Sequence, residues 1–103
     1  GSRFTVEGFL PKKSSHRFQL LQRCALEGRA LVFYESPHRV LATLRDCVRV
    51  WGPGHGAGFM REGTKAHEEV FRGTLAQCVQ HVEEGEQRGE FTVVVGPCES
   101  RVA

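Results

Sequence analysis

No run in this 103-residue chain is apolar and uncharged for long enough to span a bilayer, which takes about 20 residues as a helix. The first residues, Gly1-Ser2-Arg3-Phe4, lack the apolar core of a signal peptide. They also lack an initiating methionine. Gly1-Ser2 is read as a cloning scar, and residues 3–103 as the C-terminal piece of a longer, two-domain protein. Cysteines stand at 24, 47, 78 and 98, and no pair has zinc-knuckle or CxxC spacing. Cys24, Cys47 and Cys78 fall on apolar helical stripes, so they read as small buried hydrophobes in a reducing cytoplasm.

The usual signatures of catalysis are missing too. His67-Glu68-Glu69-Val70-Phe71 starts like HExxH, but Phe71 takes the place of the second histidine. No metal site is expected. Neither a Walker loop nor a GxGxxG loop is present. The glycine-rich tract at 52–58 follows a helix, whereas phosphate cradles follow a strand. No serine or cysteine sits in a nucleophile motif. The phenylalanines fit core positions, so no base-stacking platform is expected.

What remains is a normal globular balance: 40% hydrophobic, 25% charged, net charge +2 and an isoelectric point near 8.5. Mild basicity permits a nucleic-acid partner without demanding one. The periodicities predict strands at 4–9, 29–35, 57–62, 67–72 and 90–95. Helices are expected from Ser14 or Ser15 to about Glu27, from Ser36 to Gly52, and from a Thr74–Gln77 capping box to Gly85. The order β-α-β-α-β-β-α-β specifies one α/β domain, a mixed sheet of about five strands with three helices.

Polar groups gather where strands end, the usual ligand position in open α/β sheets. Glu35, His38 and Arg39 follow the second strand; Arg61, Glu62 and Lys65 follow the third. With Ser36 as N-cap and Pro37 at N1, Arg39 falls at N3, against the helix dipole. It is placed to pair with Glu35 or to offer its fork to a phosphate. Lys12, Lys13, His16 and Arg17 form a second basic group.

Taken in order, GFLPKK (8–13), Arg17, LVFYESPHR (31–39), REGTK (61–65), EEVFRGTL (68–75) and GEFTVVVG (89–96) resemble the C-terminal half of the ribosomal RNA small-subunit methyltransferase I family, within the tetrapyrrole methylase superfamily. The resemblance implies a cytoplasmic, homodimeric enzyme. It would move a methyl group from S-adenosylmethionine to a cytidine ribose 2′-hydroxyl in 16S rRNA. It implies a cofactor wall at Tyr34, Arg61, Phe91 and Thr92, with the glycine-rich cofactor loops on an N-terminal domain absent from this chain.

Catalytic candidates are Glu35 or Glu62 as base and Lys65 or Arg39 as cation. Lys12, Arg17 and Arg72 are candidates for RNA phosphates. The family usually reads R-E-L-T-K, and Gly63 here replaces the leucine. Two other readings share the fold: a methyltransferase acting on a corrin or porphyrin precursor, and a non-catalytic domain for dimerisation or RNA docking.

Overall fold

The computed structural model describes residues 4–63, 68–85 and 88–97. Five strands and three helices follow in the expected order: β1 (Phe4–Phe9), α1 (Ser14–Leu26), β2 (Ala30–Glu35), α2 (Val40–Trp51), β3 (Gly56–Glu62), β4 (Glu68–Thr74), α3 (Leu75–Glu84) and β5 (Glu90–Val95). They form one mixed sheet with strand order β1-β2-β5-β3-β4. Only β1 and β2 pair in parallel, and α1 supplies the crossover that parallel strands need. The remaining neighbours are antiparallel.

The helices pack side by side, α1 on α2 and α2 on α3, over one face of the sheet. Side chains alternate accordingly. Leu31, Phe33, Phe59, Phe91, Val93 and Val95 enter the helix-covered core. Tyr34, Met60, Val70 and Val94, their strand neighbours, stay exposed on the other face. Among the described residues that face has no covering layer. None of their helices is long and apolar enough to cross a membrane.

Two ends follow local chemistry. Gly28, at φ 68°, ends α1, with bonds from its N–H to Ala25 and from the Arg29 N–H to Cys24. That is a Schellman stop. Thr74 and Gln77 form the reciprocal capping box at α3.

Two expected starts are corrected. Helix α1 has Lys13 at its cap position, and neither Ser14 nor Ser15 caps it. Helix α2 begins at Val40, with Arg39 rather than Ser36 at the cap position. Residues 37–39 form a turn that closes through the Arg39 and Val40 N–H groups on the Ser36 carbonyl. The Ser36 hydroxyl is buried without a hydrogen-bond partner. Arg39 is therefore at the cap rather than at N3; its charge still stands at the positive end of the helix dipole, and its pair with Glu35 offsets that. Cys24, Cys47 and Cys78 are free and buried in the core. Gly1 and Ser2, read as a cloning scar, and Cys98 lie outside the described residues.

Candidate functional site

The C-terminal ends of β1, β2 and β3 meet at one end of the sheet, beside the start of β5. In register, Glu35 faces Phe91, Phe91 faces Arg61, and Glu62 faces both Glu90 and Glu68. The fold thus collects strand-end residues that the sequence scatters between positions 35 and 91, but it does not give them one environment.

Glu35 is only 3% exposed. One carboxylate oxygen, Oε1, accepts from the Ser36 N–H at 3.1 Å and from Arg39 Nε at 3.2 Å. The other, Oε2, accepts from Thr43 Oγ1 at 2.8 Å. A buried carboxylate needs such donors. Glu35 is accordingly an anchor that orients Arg39, whose guanidinium stays partly in water. Sequence reasoning missed Thr43. Its signal was a hydroxyl standing inside the apolar stripe of α2, which calls for a buried acceptor.

The four cofactor candidates divide between the two faces. Tyr34 and Thr92 are register partners on the open face, and Met60 and Val70 continue their row across β3 and β4. A groove of about 610 Å³ runs along this surface, lined by Gly58, Met60, Val70, Arg72, Thr92 and Val94, among others. Phe91 and Arg61 are on the other side. Phe91 is 1% exposed and belongs to the core, so its side chain is not part of an accessible cofactor wall. Arg61 donates to Glu69 at 3.2 Å and to the Arg88 carbonyl at 3.5 Å. Glu69 also bonds His81, whose ring stacks on Phe71 with centroids 4.2 Å apart. The His81 hydrogen bond, and after it Arg61, holds the Glu69 carboxyl below its ordinary 4.5 despite partial burial. Arg61 is tied into this cross-element network.

The RNA candidates also separate. Lys12 and Arg72 are exposed, Lys12 after β1 and Arg72 on the open face. Arg17 is 7% exposed and grips Asp46 through Nε at 3.0 Å and Nη2 at 2.9 Å. Its phosphate-binding assignment gives way to a structural one, because the guanidinium is buried against Asp46 and out of reach of a solvent-side phosphate. Glu62 is exposed at the end of β3. Lys65 lies outside the described residues. Among the described residues no group of three His, Cys, Asp or Glu side chains is arranged to hold a metal.

The phenylalanine expectation fails at one position. Phe9 is 62% exposed and meets Tyr34 edge-on, with ring centroids 5.7 Å apart.

No protein-family model matches the chain. Among curated proteins it is 44% identical over 93 residues to the "Ribosomal RNA small subunit methyltransferase I" of Synechocystis, covering 90% of this chain and 33% of the relative. It is 43% identical over 95 residues to the protein of that name from Thermotoga maritima, covering 92% of this chain and 42% of the relative. The chain is similar to a part of these methyltransferases. It spans about a third to two-fifths of the length of these relatives.

The fold resembles that of part of several solved methyltransferases. The solved methyltransferase CobJ superposes with a TM-score of 0.65 at 20% identity, covering 97% of this chain and 43% of CobJ. Uroporphyrin III C-methyl transferase from Thermus thermophilus gives 0.56 at 14% identity, covering 90% of this chain and 39% of that one.

Proposed function

We propose that this chain is the C-terminal half of an S-adenosylmethionine-dependent methyltransferase that methylates the ribose 2′-hydroxyl of a cytidine in 16S rRNA. The observation that carries the reading is the 44% identity over 93 residues to a protein named for ribosomal RNA methylation. The structural neighbours, at 14–20% identity, speak for the fold alone. They give a corrin or porphyrin substrate no comparable support. On the same resemblance we assign the whole enzyme to the cytoplasm as a homodimer. Sedimentation of the longer protein checks the second point.

The open face fits this chain's share of a cofactor wall. Tyr34, Thr92 and Met60 offer an uncovered, partly apolar surface beside the groove, the kind of lining small-molecule sites use. Once bound, S-adenosylmethionine would supply an electrophilic methyl group. The chain's own residues have simpler tasks. A ribose hydroxyl is a weak nucleophile, so a base or a nearby cation lowers the barrier. Glu62, exposed at the end of β3, would accept the hydroxyl proton on its carboxylate. Glu35 is spent on three donors and serves by aiming Arg39. Arg39, partly solvated and fixed through Nε, supports the developing negative charge or an adjacent phosphate.

The test is methylation of small ribosomal subunits by the longer enzyme that carries this segment. Glu62→Gln and Arg39→Ala are each expected to lower the rate roughly 100-fold or more. Unchanged methylation by both variants would overturn the assignments. The 103-residue chain alone, without the glycine-rich cofactor loops, is expected to transfer no methyl group and to bind the cofactor weakly or not at all. Tight binding seen by calorimetry would refute that.

A further inference from the structure

Strand β1 contains an irregularity with a consequence for Phe9. Val6 pairs with Val32, but the next partner of Phe33 is Gly8, so Glu7 is an extra residue. Gly8 sits at φ 68°, a conformation that glycine tolerates. Side chains alternate along a strand, so one inserted residue moves everything after it to the opposite face. Without the insertion Phe9 would point into the helix-covered core. With it, Phe9 joins Tyr34 on the open face. Bulges re-aim side chains in this way beside functional sites. The sequence gives up the burial of a phenylalanine, about 1.5–3 kcal/mol, to place a ring in water.

The surroundings indicate what that ring meets. β1 and β2 are parallel, so the segments that follow them leave the sheet at the same end. After β1 come Lys12 and Lys13, and after β2 come His38 and Arg39. Lys12, Lys13 and His38 are exposed, and Arg39 is held by buried Glu35 with part of its guanidinium in solvent. An exposed aromatic pair at the same end of the sheet as three cations and a histidine matches a nucleic-acid strand, with stacking for a base and positive charge for its phosphates. A duplex hides its base faces, so the match is to a single strand.

We infer that Phe9, braced by Tyr34, is a stacking platform for an unpaired base of single-stranded RNA, with Lys12, Lys13 and Arg39 on the flanking phosphates. The inference rests on the rRNA-methyltransferase reading and deepens it: the platform holds a nucleoside next to the Tyr34–Thr92 wall.

The chain has one tyrosine, so incorporated fluorotyrosine gives a single resonance that reports on position 34. The experiment titrates the 103-residue chain with an unstructured cytidine-rich RNA of about 12 nucleotides at about 50 mM salt. It follows anisotropy and the fluorine signal, with the matching RNA duplex and S-adenosylmethionine alone as separate arms. The expected result is single-strand binding that shifts the resonance and weakens roughly tenfold or more in Phe9→Ala. Phe9→Tyr should keep it, and the melting temperature of Phe9→Ala should not fall.

Equal binding by Phe9→Ala, equal binding of the duplex, or no binding would overturn the inference. So would a resonance that moves with S-adenosylmethionine alone in a Phe9-dependent way, since the pair would then serve the cofactor; the methyltransferase reading would survive that result. Phe9-dependent RNA binding, with no rRNA methylation by the longer enzyme, would sink the methyltransferase reading and leave the platform standing.

Discussion

Arg39 donates through Nε to Glu35 at 3.2 Å, and the carboxylate it meets is almost wholly out of water. The pair joins the end of β2 to the start of α2. Thr43 completes the carboxylate's shell from one turn further along the helix. Removing one partner of a buried charge strands the others. Glu35→Ala is therefore expected to destabilise the chain by about 3 kcal/mol, measured by urea unfolding. Thr43→Val keeps the shape and loses one bond to a charged group, at about 1.5–3 kcal/mol. A loss under about 0.5 kcal/mol for Glu35→Ala would mean the shell does not hold the turn.

Two basic residues near the start of α1 should behave oppositely. Arg17 is buried on Asp46, so Arg17→Ala should cost about 3 kcal/mol of stability. Lys12 is exposed. Lys12→Ala should leave melting unchanged and reduce the salt-dependence slope of RNA binding by about 1. Melting curves paired with a salt titration separate the two roles, and a stable Arg17→Ala that loses RNA would reverse our assignment.

The Glu69 network predicts an acid limb. Glu69 is held below its ordinary 4.5 by His81 and then Arg61. A depressed folded-state value stabilises the fold above the unfolded value, and that contribution is lost as pH falls through the folded one. Stability should therefore decline below about pH 4.5, and Glu69→Gln should make that decline shallower. Unfolding midpoints measured from pH 6 down to about pH 3 check the sign. An unaltered limb in Glu69→Gln would show that other carboxylates dominate.

Gly89 is a strict backbone position. Its φ is +82°, and a Cβ there would collide with the Glu62 carbonyl. Gly89→Ala should cost about 2–3 kcal/mol, seen as a lower urea midpoint, and should disturb the end of β3 where Glu62 sits.

Cys24, Cys47 and Cys78 should be inert while the chain is folded. Burial pushes the Cys78 thiol up to about 11 and raises Cys24 and Cys47 as well. Thiolate is the reactive form. Labelling of these three by a thiol reagent should track unfolding, and rapid labelling under native conditions would contradict their burial.

Period and punctuation in the sequence determined most of the architecture. The continuous apolar run of β2, the stripe of α2, the Thr74–Gln77 box and the Gly28 stop each follow from chemistry within a few residues. The segments from GFLPKK to GEFTVVVG likewise carried the resemblance to the methyltransferases, because they are local strings. Tertiary structure decided which face each strand-end residue occupies, and that is a matter of parity and partners rather than of residue type. Phe91 and Thr92 are adjacent in sequence yet lie on opposite sides of the sheet. Arg17 and Lys12 carry the same charge, but Asp46, 29 residues away from Arg17, takes one of them out of solution. A single extra residue in β1 turned Phe9 from a core candidate into an exposed ring. Such a bulge is visible only once β1 is laid against β2, because register is a property of two strands and the sequence lists one at a time.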